Sequence, residues 1–446
     1  MKHSPVANVQ INYPISTESA IANLERDPIW HPLRQAIHEG IIPGAVAAVS
    51  CGDQSYYYAG GWAADTPTLR IPATIDTIYD CASLTKITVT LPLIFILVQR
   101  GIVNLDDPAS RYVPELQHGA HATITIRQLL AHTSGLPSIV DCYSRSWTMK
   151  EAIRHMCQLE LQSSPGSQRA YSDPGFILLG WLFETVSGMS LAAGAQQLLW
   201  EPLHMQNSIF CPPASRIAHI AATEYDTVRA DWLRGIVHDE NARQLGGIVG
   251  HAGLFATASD LLQYGQSWRA GVNGGHCKWL APAKTAGTAE QRAADHAAIQ
   301  PTMEHLHSQP TCTASHSTLL TTNSADGDGP LPANRASQQL RSSEQSDSIK
   351  LLRSAIQRQT PALPDTHRGL GWVLHGDEAD VSGGLLSAAA FGHTGFTGTS
   401  LYVDPQLELV IVLLTNRVHY GRQQSIQQLR RDFHSAIAAY RRAHIK

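Results

Sequence analysis

Nothing in the 446-residue sequence spells out a dedicated metal site: HExxH and paired CxxC are both missing, and the 22 histidines are scattered. No metal and no cofactor are therefore expected. Charge is sparse, at 16% of residues. The net value of -4 offers no basic field for nucleic acid or an anionic membrane surface. The longest apolar run, Ile87 to Val98, has twelve residues including two threonines and a proline, too short to span a bilayer. Met1 to Asn23 has no charged region followed by an apolar one, which argues against a secretory signal. The expectation is a cytoplasmic protein, or a periplasmic or secreted one if the true start lies upstream. The seven cysteines, Cys51, Cys81, Cys142, Cys157, Cys211, Cys277 and Cys312, are odd in number and follow no spacing framework. Reduced thiols fit them better than disulfides.

What is present suffices for a large core: hydrophobic residues make up 43% of the chain. After an N-terminal tail, 1–27, Pro28 to Glu39 has the pattern of an amphipathic helix. Two strand-like stretches follow, Gly44 to Ser50 and Gln54 to Gly61, with Gly52-Asp53 suited to the hairpin turn between them. Ser83 to about Gly101 reads as a helix with a kink at Pro92, and helical patterns continue to about Trp268. The stretch 287–347, rich in Ala, Ser, Thr, Gln and His, reads as a loop-like or disordered insertion. Strand patterns return at Gly369 to His375, Ser387 to Gly392, Thr397 to Val403 and Leu407 to Thr415, before a helix over Gln423 to Arg442.

Strands at both ends with helices between them predict an α/β fold. One antiparallel sheet would be built from 28–80 and 365–446, flanked by the terminal helices. A mostly helical domain, 81–275, would complete it, with a ligand cleft between the two.

Three motifs carry chemistry. Ser83-Leu-Thr-Lys86 opens an apolar helix, where residues three apart share a face, so an amine can lie beside a hydroxyl. Serine needs such a base to become a nucleophile, and lysine serves only if its pKa is lowered, as the apolar surroundings could arrange. Taken alone, the same four residues fit an N-capping serine and a surface lysine. Tyr171-Ser-Asp173 could supply a phenol for proton relay and a carboxylate that accepts from Lys86 or orients substrate; a packed ring and a helix cap fit equally. His393-Thr394-Gly395, followed by Phe396, sits among glycines at a strand edge where a substrate could approach the backbone. The N–H groups of Ser83 and Phe396 could then form an oxyanion hole. The bland alternative is a glycine-rich hairpin.

Together and in this order, the three motifs resemble the serine β-lactamase and penicillin-binding-protein superfamily. The spacing is most similar to its class C branch, with the D-Ala-D-Ala carboxypeptidases and carboxylesterases related to it. Leu129-Leu-Ala-His-Thr-Ser-Gly135, the Pro165-Gly166 turn and the strands over Leu401 to Asn416 add to the likeness. It covers roughly 30–275 and 365–440. The resemblance implies a β-lactamase/transpeptidase-like fold, with Ser83 as nucleophile, Lys86 as base and Tyr171 as proton carrier. It implies a substrate site around Asp173, His393, Thr394 and Gly395.

Two positions depart from the family pattern. Asp173 stands where an asparagine would donate to a substrate amide carbonyl, which an ionised carboxylate cannot do. His393 stands in place of a permanently charged lysine. Both make efficient β-lactam hydrolysis less favoured. The segment Val237-His-Asp-Glu-Asn-Ala242 offers His238 and Asn241 as further substrate contacts, or simply a capped loop. It resembles a segment of relatives that include amidases of lactyl–L-alanine bonds in cell-wall fragments. The leading expectation is an amidase or peptidase on cell-wall peptide fragments, with a small-molecule or short-peptide substrate. A carboxylesterase on small acyl esters is the alternative. A non-catalytic penicillin-binding-like sensor is opposed by the intact Ser83, Lys86 and Tyr171.

Overall fold

A computed structural model describes residues 28–280, 335–360, 362–363 and 366–444. Its centre is a seven-stranded antiparallel sheet. The N-terminal strands are β1 (Gly44–Cys51), β2 (Gln54–Asp65) and β3 (Arg70–Pro72). The C-terminal ones are β4 (Val373–Leu374), β5 (Phe391–Thr394), β6 (Ser400–Asp404) and β7 (Leu409–Thr415). The spatial order is β3-β2-β1-β7-β6-β5-β4. The two ends of the chain thus meet where β1 pairs with β7, from Ala45 opposite Thr415 to Cys51 opposite Leu409.

Both faces of this sheet are covered, which is why β1 and β7 read as nearly continuous apolar runs. Side chains alternate between two cores. Ala45, Ala47, Val49, Leu409, Ile411 and Leu413 face the terminal helices α1 (His31–His38) and α6 (Gln427–His444), against Leu33, Phe433 and Ile437. Val46, Ala48, Val410, Val412 and Leu414 face the larger core. That core continues without a break into the helical region through Leu84, Phe95 and Phe183, so sheet and helices are fused rather than tethered. Trp268 of α4 (Ala258–Val272) joins them, with ring centroids 5.2 Å from Trp372 and 6.2 Å from Phe95.

The helix after Ser83 begins in a turn and passes through one wide π turn, Lys86–Thr90, before α2 (Leu91–Gln99). Leu91 N–H reaches back to Lys86 O. Pro92 has no N–H to donate, and its ring would crowd the carbonyl four residues back. The wide turn absorbs this just upstream of the proline.

Other expectations shift at their edges. The last helix starts at Gln427, because the 422–424 backbone is used instead to accept from Arg417. Most of 287–347 lies outside the described residues. Its end, however, belongs to helix α5 (Arg335–Ala355), which seats buried Leu352 and Ala355 in the large core. So narrow a stripe of apolar residues in a polar segment gave little periodic signal. Among the described residues five cysteines are free, but Cys211 is disulfide-bonded, contrary to the reading of all thiols as reduced. Among the described residues no single helix is long and apolar enough to cross a membrane.

Candidate active site

The turn that presents Ser83 is anchored from both sides. Tyr79–Asp80 pairs with Leu254–Ala256 in a small three-stranded sheet, and Cys81 N–H donates to Leu254 O at 2.8 Å. The buried Asp80 carboxylate accepts from Ala82 N–H at 2.8 Å and His238 N–H at 2.7 Å. Ala82 is held at φ 45, a region costly for any residue with a Cβ. From the large sheet, Thr397 Oγ1 donates to Asp80 O at 2.7 Å and Thr399 Oγ1 to Cys81 O at 3.1 Å.

These ties bring the end of β5 against the nucleophile turn. A Cβ on Gly395 would stand 2.1 Å from Thr399 Oγ1 and 2.5 Å from Cys81 O. Gly395 is therefore required by the protein's own backbone, not by the approach of a substrate. Neither the Ser83 N–H nor the Phe396 N–H donates to another group among the described residues. Both remain available to an oxyanion.

Lys86 is fully buried and converges on the serine. Its Nζ lies 2.9 Å from Ser83 Oγ, 3.1 Å from His251 O and 2.8 Å from Asp173 Oδ1. It also hydrogen-bonds the Tyr171 side chain and sits 5.0 Å from that ring's centroid. Burial alone would lower the lysine pKa, but the Asp173 charge and the Tyr171 contact outweigh it and hold the pKa above its ordinary value. This corrects the expectation of a lysine made basic by desolvation. In the substrate-free protein Lys86 is an ammonium. The amine that could take the Ser83 proton forms only after a proton leaves toward Asp173.

Tyr171 is positioned by His132, whose ring lies 4.5 Å away and whose Nδ1 accepts from Ser172 N–H at 3.0 Å. That acceptor role puts the proton on Nε2. Burial, then the charges of Arg368 and Lys86, keep the imidazole well below its ordinary pKa. Ser172 caps the helix α3 (Asp173–Ser187), accepting from Gly175 N–H, so Asp173 emerges at the first turn facing Lys86. Asp173, Asp239 and His251 bring ligand atoms within 4.8 Å of one another. The Lys86 ammonium already lies against two of these residues and supplies the charge a cation would bring.

Ser83, Tyr171, His393, Thr394, Gly395 and Phe396 all line one cleft of about 520 Å³. His393 is buried; burial, then the charges of Arg368 and Lys86, push its pKa well down. It is neutral at physiological pH and cannot stand in for a family lysine as a cation. His238 and Asn241 are not on the wall of that cleft, and the bonds they make are to the protein itself. Asn241 Oδ1 accepts from the N–H groups of Cys142 (2.8 Å) and Tyr143 (3.1 Å), while His238 bonds Glu224 at 3.0 Å beneath the Phe396 ring.

The sequence reading missed Asp80, His132 as a positioning residue, and Arg368. Asp80 had a local signal, an aspartate accepting from the N–H two residues on. Arg368 had none.

Residues 32–434 match the family model described as Beta-lactamase. The chain belongs to that family. The putative D-alanyl-D-alanine carboxypeptidase of Escherichia coli (strain K12) is 26% identical over 91% of this chain and 87% of its own length. A Salmonella agona protein of the same description is 25% identical over 78% of this chain and 71% of its own. Among solved structures, the class C β-lactamase from Rhodobacter sphaeroides aligns with a TM-score of 0.61 over 93% of this chain and 99% of its own, at 17% identity. EstCE1, a hydrolase with promiscuous acyltransferase activity, aligns with a TM-score of 0.60 over 94% of this chain and 100% of its own, at 20% identity. At those identities the structural likeness speaks for the fold, which is the α/β architecture of the serine β-lactamases and penicillin-binding proteins. As a member of the Beta-lactamase family the chain is a serine hydrolase.

Proposed function

We propose that this serine hydrolase cleaves amide bonds in cell-wall peptide fragments through an acyl-enzyme on Ser83. The observation that carries the acyl-enzyme step is the 2.9 Å approach of Lys86 Nζ to Ser83 Oγ on the wall of the cleft. In this reading Lys86 first gives a proton to Asp173; Ser83 Oγ then attacks the carbonyl carbon and its proton passes to the neutral Lys86 amine, which later re-protonates Tyr171. The N–H groups of Ser83 and Phe396 hold the oxyanion. The leaving amine takes a proton from Tyr171, and a water then attacks the ester, with the same groups returning the proton to Ser83. The substrate class draws support from the curated relatives' names and from a polar cleft wide enough for a short peptide. No cofactor and no macromolecular partner are needed.

One observation favours a second reading, a carboxylesterase. Asp173 is committed to Lys86 and has no N–H with which to hold the carbonyl of a substrate amide. Mass spectrometry of muramyl peptides incubated with the protein separates the readings. Release of an L-alanine-headed peptide identifies an amidase and release of D-alanine a carboxypeptidase. Intact muramyl peptides, together with nitrophenyl butyrate turnover that Ser83→Ala abolishes, identify an esterase.

A further inference from the structure

Lys86 Nζ has one partner that takes no proton in the chemistry above, the backbone carbonyl of His251 at 3.1 Å. Once Lys86 has passed a proton to Asp173, the amine keeps two N–H groups and one lone pair. The lone pair faces Ser83 Oγ only if acceptors hold those N–H groups, so the place of the His251 carbonyl sets the aim of the base. The chain on either side is anchored. Gly250 O accepts from Thr90 Oγ1 at 2.6 Å, and Leu254 N–H donates to Thr85 Oγ1 at 3.1 Å. Between these anchors lies His251, fully buried. Its Nε2 donates to Asp239 Oδ1 at 3.0 Å, while Nδ1 has no partner among the described residues, so Asp239 supplies the hydrogen bond that fixes the ring.

Asp239 is itself held in place. The same oxygen accepts from Ala242 N–H at 2.7 Å, capping the short helix Glu240–Gln244. The residue before it, His238, donates its N–H to the Asp80 carboxylate that also holds the nucleophile turn at Ala82. The connections thus close a ring, from the Ser83 turn through Asp80, the 238–239 backbone, Asp239, His251 and Lys86 back to Ser83. Burial would raise the Asp239 carboxyl, but the His251 ring, the Ala242 N–H and Lys86 outweigh it and hold it below the usual carboxylate range. An ionised carboxylate can only accept, which puts a proton on His251 Nε2.

We propose that Asp239 is a positioning residue of this hydrolase: through His251 it holds the carbonyl that orients the Lys86 amine toward Ser83. This rests on the acyl-enzyme reading of Ser83 and adds to it a group that touches neither the substrate nor the reacting atoms. Proton transfer depends steeply on geometry, and a misplacement of about 1 Å at a reacting centre costs about 100-fold in rate. The effect belongs in kcat, because the same amine serves acylation and deacylation once the substrate is seated. A helix cap alone would act on stability instead.

The test measures kcat and KM for nitrophenyl butyrate alongside urea unfolding. Asp239→Ser keeps the cap, since serine Oγ can accept from Ala242 N–H, but it is too short to hold the His251 ring. It should lower kcat by about 10- to 100-fold, with KM and the urea midpoint little changed. Asp239→Asn, whose carbonyl oxygen can still accept from both N–H groups, should recover most of that loss. His251→Asn breaks the same bond from its other end and should lose as much, and it carries the test if the serine variant does not fold. Combined with Asp239→Ser it should lower kcat no further than either change alone. The proposal is overturned by an unchanged kcat in Asp239→Ser, or by a loss confined to KM or tracking the urea midpoint. An equally deep loss in Asp239→Asn, or losses that multiply in the double variant, overturn it as well. Any of these results with turnover that still needs Ser83 removes Asp239 and leaves the acyl-enzyme reading standing. Turnover that survives Ser83→Ala, or no turnover by the wild-type protein, removes both.

Discussion

Replacing Asp173 by asparagine tests the electrostatics of the site directly. The substitution keeps the shape and a carbonyl oxygen at 2.8 Å from Lys86 Nζ but removes the charge. At an effective dielectric of about 20, unit charges about 4 Å apart attract by about 4 kcal/mol, equivalent to about three pH units. Asp173 keeps 19% of its side chain in solvent, which weakens the pairing, so a fall of about one to three units in the Lys86 pKa is expected. The sign follows from burial: without the carboxylate, desolvation dominates and favours the neutral amine. The acid limb of kcat/KM for nitrophenyl butyrate should therefore move to lower pH in Asp173→Asn. Stability should change too. In the wild-type protein the raised Lys86 pKa contributes stability that is complete below the unfolded value and is lost only as pH climbs through the folded one, above the neutral range. In the variant a buried, unpaired ammonium should cost about 3–5 kcal/mol near neutral pH and progressively less as pH rises. An acid limb that stays in place, or moves to higher pH, would refute the assignment of Lys86 as the group that must lose a proton.

Three further outcomes follow from the same geometry. Gly395→Ala should lower stability by roughly 1–3 kcal/mol in urea unfolding and suppress ester turnover, because the new methyl meets Thr399 and the Cys81 carbonyl. Ala82→Gly should raise stability by about 1 kcal/mol in the same assay, by relieving a left-handed backbone in a non-glycine residue. Below about pH 6.5 the fold should weaken, since His132 and His393 are held neutral by burial and His434 is pushed down to about 4. The unfolded chain binds those protons first, so stability falls with pH until the folded values are reached. His434→Asn should flatten part of that slope in a urea series run from pH 7 to pH 4.

The sequence disclosed those parts of the site whose logic is local. Ser83 and Lys86 are one helical turn apart, so their spacing alone permits the contact, and Tyr171 entered through the family motif. The sheet was legible because β1, β2 and β7 carry strong strand patterns that must pair to cover their edges. The protonation state of Lys86 was misread because an apolar helix advertises burial, whereas the compensating Asp173 arrives from another helix. The partner of Asn241 was hidden for a similar reason: its Oδ1 accepts from a loop nearly a hundred residues away in sequence. Arg368 has no motif at all.

The threonines at 397 and 399 have a consequence for how the enzyme fails. One donor of the proposed oxyanion hole rides on the sheet and the other on the turn before the first long helix, and two hydroxyls stitch them together. Any loosening of that seam parts the two halves of the electrophile's cradle before the bulk of either core is disturbed. Catalysis should thus vanish at denaturant concentrations where spectroscopy still reports a native protein, making turnover the earliest alarm of partial opening.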